Sequence, residues 1–303
     1  MCAHGFGARN RHSNTPVDVA TRFEIGSDTK QFTAAAVLQL KEQERLSLDD
    51  RLAKYVPGFP HADELTLREL LYQTTGLFDY VDTNHMVHIT QTSTGSFEKI
   101  ERMAAGPLHS APGSRWEYSN TNYIALGRVI EVVSGESYDS YIRQHLFAPV
   151  DMKQTTTIDH EQDVADMATG YWRGMRNIGP LIVAPEIGAS WTWSAGEIVS
   201  TVGDLAKWDT ALESGKIISS ADFALMTRPA TLTTGKLDDY GFGWWIDPLV
   251  GHKHVYHDGD TYGMSSSNNL FPDDDLAIIV LQNEGEDTAA KTATAIFKAL
   301  ERR

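Results

Sequence analysis

The chain has a single cysteine in 303 residues, Cys2 near a terminus. That excludes a disulfide framework and a cysteine-built metal site, and it leaves a poor thiol nucleophile. No stretch nears the ~20 continuous apolar residues of a membrane span, and the opening MCAHGFGARNRHSN lacks the apolar segment of a secretory signal. Positive charge is scarce as well: 26 Lys and Arg stand against 41 Asp and Glu, a net charge of −15, which argues against nucleic acid or another polyanion as partner. Repeats, low-complexity tracts and long linkers are missing, so nothing separates independently folding halves. As given, the chain reads as cytoplasmic and free of any membrane, with export of a longer precursor left open.

What is present is a hydrophobic content of 41%, enough for a well-buried core in one domain over residues 1–303. Periodicity predicts a helix over residues 29–46, with Phe32, Ala35, Ala36 and Leu40 on its packed face. Thr66 and Glu69 form a capping-box pattern that opens a second helix, and Gly76 follows it. Further helices are predicted over 122–134 before Gly135, over 137–147 before Pro149, and from Ser200 with Thr201 as cap and Gly215 as stop. Beyond Tyr240 the texture changes to YGFGWWI, HKHVYH, MSSSNNLF and LAIIVLQN, short strands separated by turn residues, with PDDD (272–275) as a solvated hairpin turn. A last amphipathic helix over 287–302 offers Ala289, Ala293, Ile296 and Leu300 to cover that sheet. The expected class is α+β, an antiparallel β-sheet flanked by helices with an inserted mainly helical lobe. The sheet lobe takes residues 1–50 and 186–303 and the helical lobe residues 51–185.

Three short stretches carry chemistry. In GSDTK, Ser27 and Lys30 lie three apart at a helix start, on one face and one turn away, so their tips can touch. A neutral lysine amine can take the hydroxyl proton, and burial together with the positive end of the helix dipole favours that neutral form. Alone, Ser-x-x-Lys fits a solvated helix start just as well. In RWEYSNTNY, a Tyr118 phenol could relay protons with Ser27, and Asn120 could bind a substrate carbonyl or hold Lys30; a buried tyrosine beside a cap is the plainer reading. In HVYHDGDTYGMSSS, His257 and Gly259 end a strand. There the glycine lets an acyl group lie flat against the edge, and the Asp260 N–H can share an oxyanion with that of Ser27. His252, His254 and His257 invite a zinc reading, yet alternation puts the first two on one strand face and the third on the other, so no metal is assigned.

Together and in this order, the three stretches resemble the motifs of the serine β-lactamase and penicillin-binding protein superfamily. The likeness is to its class C β-lactamase-like branch, which also contains esterases, D-aminopeptidases and D,D-carboxypeptidases. It runs over nearly the whole chain, through FEIGSDTKQFTAAAVLQL, LSLDDRLAKYVPGFP, LTLRELLYQTTGL, PGSRWEYSNTNYIALGRVIEVVSG, STVGDLAKW and the strand-rich end. The resemblance implies a β-lactamase/transpeptidase-like α/β sandwich without a cofactor. It implies Ser27 as the acylated nucleophile, Lys30 as its proton acceptor, Tyr118 as the second acid/base and Asn120 as a binding group, with His257 and Gly259 in the third motif and, together with Asp260, binding substrate. The family approaches its site near the glycine matching Gly196, so Trp191 and Trp193 are candidates for an acyl pocket, as is Tyr80 just past TTGL; core or rim positions fit them equally.

Two departures shape the expected function. Where β-lactamases commonly carry a lysine in the third motif, this chain has His257 between acids, with Asp258 and Asp260 close by. Neutral short-chain acyl esters should therefore suit the site better than penicillins, and the expectation is a carboxylesterase with weak or no β-lactamase activity. A β-lactamase, D-amino-acid peptidase or D,D-carboxypeptidase is the alternative, and a non-turnover penicillin-binding sensor or scaffold is the rival of another class. Second, family members usually carry a helix and a strand hairpin ahead of the segment resembling residues 4–23. The expectation is an exposed sheet edge that pairs in a homodimer or lowers stability.

Overall fold

The alanine-rich run after Ser27 contains no glycine or proline and forms helix α1, Thr29–Glu42, in a computed structural model that describes residues 2–82, 95–157, 166–173, 179–185, 189–285 and 288–302. Every residue of α1 from Thr29 to Leu38 is buried, so this helix is the centre of the fold rather than one of its faces. It stops at Gln43, short of the expected residue 46, because Glu44 takes a left-handed φ of 56° and turns buried Leu46 back into the core. Phe32 shows what α1 contributes: its ring stacks on Trp208 with centroids 4.1 Å apart and meets the edge of Phe147 at 5.5 Å. Burying a side chain of that size stabilises by roughly 1.5–3 kcal/mol.

Among the described residues the further α-helices are α2 (Leu67–Leu71), α3 (Phe97–Met103), α4 (Asn120–Ser134), α5 (Tyr138–Ile142), α6 (Ala189–Gly196), α7 (Val202–Glu213), α8 (Ser220–Met226) and α9 (Thr288–Leu300). The Thr66–Glu69 capping box opens α2, and the Thr201 side chain caps α7 by accepting from the Asp204 N–H. Helix α4 starts at Asn120, ahead of the expected residue 122, and closes at Gly135 with φ 78°. Helix α5 runs on into a π turn, Arg143–Phe147, and then a 3-10 turn holding Pro149, so its end is drawn out rather than sharp. Residue 287, the expected start of α9, and residue 186, a lobe boundary, lie outside the described residues.

Short strands β1 (Phe23–Glu24), β2 (Thr156–Thr157) and β3 (Ile198–Ser200) pair antiparallel in the order β1-β3-β2. The main sheet holds β4 (Trp245–Ile246), β5 (Val255–Asp260), β6 (Ser265–Phe271) and β7 (Leu276–Gln282) in sequential antiparallel order. Of the expected strand over 240–246 only the last two residues join the sheet, and Tyr240 makes an isolated bridge back to Trp245. Tyr240, Phe242 and Trp244 are fully buried instead, and Gly243, at φ 74°, crosses so near the Lys30 backbone that a Cβ there would lie 2.8 Å from it. The turn at 272–275 joins β6 to β7 as expected, with Asp275 at φ 51°.

Alternation along β7 divides two apolar clusters: Leu276, Ile278 and Val280 face Ala293 and Phe297 of α9, while Ile279 and Leu281 face the main core. Helix α9 therefore covers the sheet through Ala289, Ala293 and Phe297, spaced four apart, and the expected Ile296 and Leu300 are exposed. The outer edge of β7 carries no further strand among the described residues. No helix of the described residues is long and apolar enough to cross a membrane.

Candidate active site

Ser27 sits in a 3-10 turn, Gly26–Asp28, that leads directly into α1. Two glycines bring the end of β5 against this turn. A Cβ on Gly26, whose φ is 50°, would lie 2.8 Å from the Asp260 nitrogen, and a Cβ on Gly259 would lie 1.8 Å from the Ile25 carbonyl oxygen. No larger residue fits either position without moving backbone. The stretches at 27–30, 118–120 and 257–260 thus converge, from a helix start, a second helix start and a strand end.

Lys30 follows one turn on and is completely buried. Its Nζ lies 3.0 Å from Ser27 Oγ, 2.8 Å from Asn120 Oδ1 and 2.8 Å from the Ala195 carbonyl oxygen. A neutral amine satisfies all three at once: two hydrogens go to Asn120 and Ala195, and the lone pair accepts from the Ser27 hydroxyl. Burial pushes the Lys30 ammonium down to about 7, against the pull of the Asp79 charge. The Tyr118 hydroxyl donates to Ser27 Oγ at 2.8 Å, and the Tyr118 ring lies 4.9 Å from Lys30 Nζ. Burial raises the Tyr118 phenol well above its usual value, with Tyr240 adding to the effect, so it stands as a proton donor beside the serine.

Asn120 is held by an acid that sequence reasoning missed. Its Nδ2 donates to Asp79 Oδ2 at 3.0 Å, which fixes the amide so that Oδ1 faces Lys30. A carboxylate in an irregular loop has no periodic signature, so only its position beside Tyr80 pointed to it. His257 is placed differently from expectation. It is 2% exposed and stands behind the site, its ring 6.3 Å from that of Tyr118. Its Nδ1 lies 2.7 Å from the Asp258 carbonyl oxygen, which can only accept, so Nδ1 carries the proton and Nε2 accepts from the Tyr240 hydroxyl at 3.1 Å. Burial, then the nearby Lys30, pushes the His257 imidazole down to about 3, so the third motif offers no cation.

A cavity of 250 Å³ opens in front of Ser27, lined among others by Tyr80, Asn120, Trp191, Gly196, Asp260 and Tyr262. Tyr80 is tied in place by its hydroxyl, which donates to the Trp191 carbonyl. Trp193, an expected pocket residue, is not in this lining. The backbone kinks there, at φ 31° and ψ −132°, and its ring turns to Tyr138 at 5.5 Å. Helix α6 approaches α4 so closely at this point that a Cβ on Gly127 would lie 2.1 Å from Ser194 Oγ. The three histidines considered for zinc go to separate partners: His252 to Asp274 and Glu301, His254 to Asn269, and His257 to Tyr240.

The chain is similar to the putative penicillin-binding protein PbpX of Bacillus subtilis (strain 168), with 31% identity over 280 residues, 92% of this chain and 66% of that protein's length. It thus spans just under two thirds of that relative. Among solved structures it is similar to the octameric penicillin-binding protein homologue from Pyrococcus abyssi, at a TM-score of 0.87 and 28% identity, covering 100% of this chain and 71% of that one. A D-stereospecific amidohydrolase from Streptomyces sp. superposes at a TM-score of 0.79 and 25% identity, over 91% of this chain and 85% of that one. These likenesses give the fold as β-lactamase/transpeptidase-like. With the Beta-lactamase family model matching residues 2–301, around a serine bracketed by a buried lysine and a tyrosine, this chain belongs to the Beta-lactamase family.

Proposed function

We propose that this protein is a serine hydrolase that works through an acyl group on Ser27, and that short-chain acyl esters are its substrates. The observation that carries this is Ser27 Oγ held 3.0 Å from a buried amine and 2.8 Å from a phenol at the floor of a small cavity. In this reading neutral Lys30 takes the Ser27 proton as Oγ attacks the acyl carbon, and the backbone N–H groups of Ser27 and Asp260 receive the oxyanion. The intermediate then collapses, the C–O bond to the alcohol breaks, and the proton passes through Lys30 and Tyr118 to the departing oxygen. Water enters, gives up a proton to the same pair and releases the acid. Asn120 binds the substrate and holds Lys30, while His257 supports Tyr118 from behind through the aromatic contacts with Tyr240.

Ester preference rests on charge. A carboxylate on a β-lactam would find neutral His257, and Asp79 and Asp260 nearby. Each acid at about 4 Å would repel it by roughly 1–4 kcal/mol, depending on effective dielectric. A neutral ester avoids that term. A second reading, hydrolysis of D-amino-acid amides, draws on the same acids, which would attract a substrate ammonium, and on the likeness to the Streptomyces amidohydrolase. Initial rates on p-nitrophenyl butyrate, a chromogenic cephalosporin and a D-amino-acid amide separate these readings. The ester is expected to lead, and a cephalosporin preferred by orders of magnitude would overturn the proposal. A penicillin-binding sensor would instead keep its adduct, so release of the acyl group within the turnover time, followed by mass spectrometry, distinguishes enzyme from receptor.

A further inference from the structure

Asp28 follows the nucleophile directly and is fully buried. An aspartate at a helix N-terminus ordinarily ionises and caps a free N–H, favoured by the helix dipole. Asp28 stands at the N-cap position of α1 yet makes no such bond. Its Oδ1 accepts from Gln31 Nε2 at 3.1 Å, and the Gln31 amide is fixed in that sense because its Oε1 accepts from Trp208 Nε1 at 3.2 Å. The other carboxyl oxygen, Oδ2, lies 2.5 Å from Ser266 Oγ on β6. Ser266 Oγ also lies 2.7 Å from the Ile25 carbonyl oxygen.

These two contacts set a proton count. Each brings two oxygens within hydrogen-bond distance, and each needs one hydrogen between them. The carbonyl has none and the serine has one, so the second must be on the carboxyl group. We propose that Asp28 is a neutral carboxylic acid that donates from Oδ2 to Ser266 Oγ while Ser266 donates to the Ile25 carbonyl, and that this tie positions the nucleophile turn against β6 without setting an anion beside Lys30. The charged groups facing Asp28 agree with it. Burial is the leading cause that raises the acid well above its usual range, and Asp258 and Asp260 on β5 add like charge; Asp209 on α7, itself held protonated by burial, joins them only as pH rises toward about 8. An ionised Asp28 would hold the proton on Lys30 and oppose its use as a base. Asp28 is thus a positioning residue; its effect on Lys30 rests on the hydrolase reading above, whereas its protonation does not.

Infrared difference spectroscopy between the parent protein and Asp28→Asn at neutral pH tests the proposal. Asparagine keeps one donor and one acceptor in the same places. The parent is expected to show the C=O stretch of a hydrogen-bonded carboxylic acid that the variant lacks; carboxylate bands in its place would overturn the proposal. Should Asp28→Asn fail to fold, Ser266→Ala serves instead, since removing the acceptor should move the carboxylic band to higher frequency, and a difference spectrum without that band would overturn it equally. In turnover, Asp28→Asn is expected to keep kcat/KM within about fivefold, the worth of one neutral hydrogen bond, with the acid limb of its pH profile unmoved. A limb displaced to lower pH would mean that the substitution removed an anion, and would contradict the assignment. Absence of ester turnover in the parent would count against the hydrolase reading alone, because the infrared result stands without it.

Discussion

Lys30 is the residue on which the chemistry turns, because only its neutral form can accept the Ser27 proton. Burial pushes its ammonium down to about 7, so the active form is the deprotonated one and accumulates as pH rises through that value. The kcat/KM for a neutral ester is expected to climb through neutral pH and level off above it, and Lys30→Met is expected to remove the activity; a profile flat from acid to alkaline pH would contradict the role. Helix spacing sets Ser27 beside Lys30 but fits a solvated helix start equally, and it was the family likeness that joined Tyr118 and Asn120 to them; the structure brings the four side chains together. Asp79 was not legible in the sequence, since nothing local distinguishes a loop carboxylate that orients an amide from one that faces water. Trp191 and Trp193 were offered together, and only the kink at Trp193 decides which of them lines the cavity. The retreat of His257 behind Tyr118 was not anticipated, because it depends on the buried Tyr240 hydroxyl that His257 accepts from.

Among the elements, strand β5 must touch the 3-10 turn that leads into α1 for the site to exist, and it meets Ile25, where that turn opens, at Gly259. Its missing Cβ would lie 1.8 Å from the Ile25 oxygen and 2.5 Å from Ser266 Oγ. Gly259→Ala is expected to fold, with an unchanged far-ultraviolet circular dichroism spectrum, yet to lose on the order of 100-fold in kcat/KM through displacement of the Ser27 turn; full activity would show that the contact does not position the nucleophile. Strand β7 raises a different matter. Its seven residues, LAIIVLQ, carry no charge, proline or bulge, and they pair with β6 in unbroken register. Such an edge invites another strand. We propose that a second copy adds there, and light scattering of the parent against Ala277→Lys tests it, with a dimer expected for the first and a monomer for the second; a monomeric parent would refute it. Element positions were the most legible feature, because caps such as Thr66 with Glu69 and stops such as Gly135 are local. The segment 240–246 misled because alternating aromatics resemble a strand, whereas burial on several sides makes it a crossing behind α1.

Over the whole molecule, buried ionisable groups make stability depend on pH in opposing directions. Asp209 on α7 is raised to about 8, chiefly by burial. Its folded value stands above its unfolded one, so the unfolded chain binds fewer protons between them, and the stability it contributes is full in acid and lost as pH rises toward about 8. His257 works the other way, its contribution fading as pH falls from about 6.5 toward about 3. Urea unfolding at about pH 5 and about pH 7 should therefore show Asp209→Asn gaining relative to the parent as pH rises, and a parallel pair of curves would contradict the buried neutral acid. The α+β class was readable from the sequence because helical and strand textures separate along the chain; the order in which distant segments meet came from the family likeness rather than from periodicity. The two-lobe division at residues 51 and 186 is a proposal still. The central claim is that Ser27 becomes acylated and then freed. Rapid acid quench during turnover of p-nitrophenyl butyrate, followed by peptide mass spectrometry, measures it directly: the expected result is a butyryl group on Ser27 that disappears as substrate runs out and never forms in Ser27→Ala, and undiminished hydrolysis by Ser27→Ala, or an adduct on another residue, would contradict it.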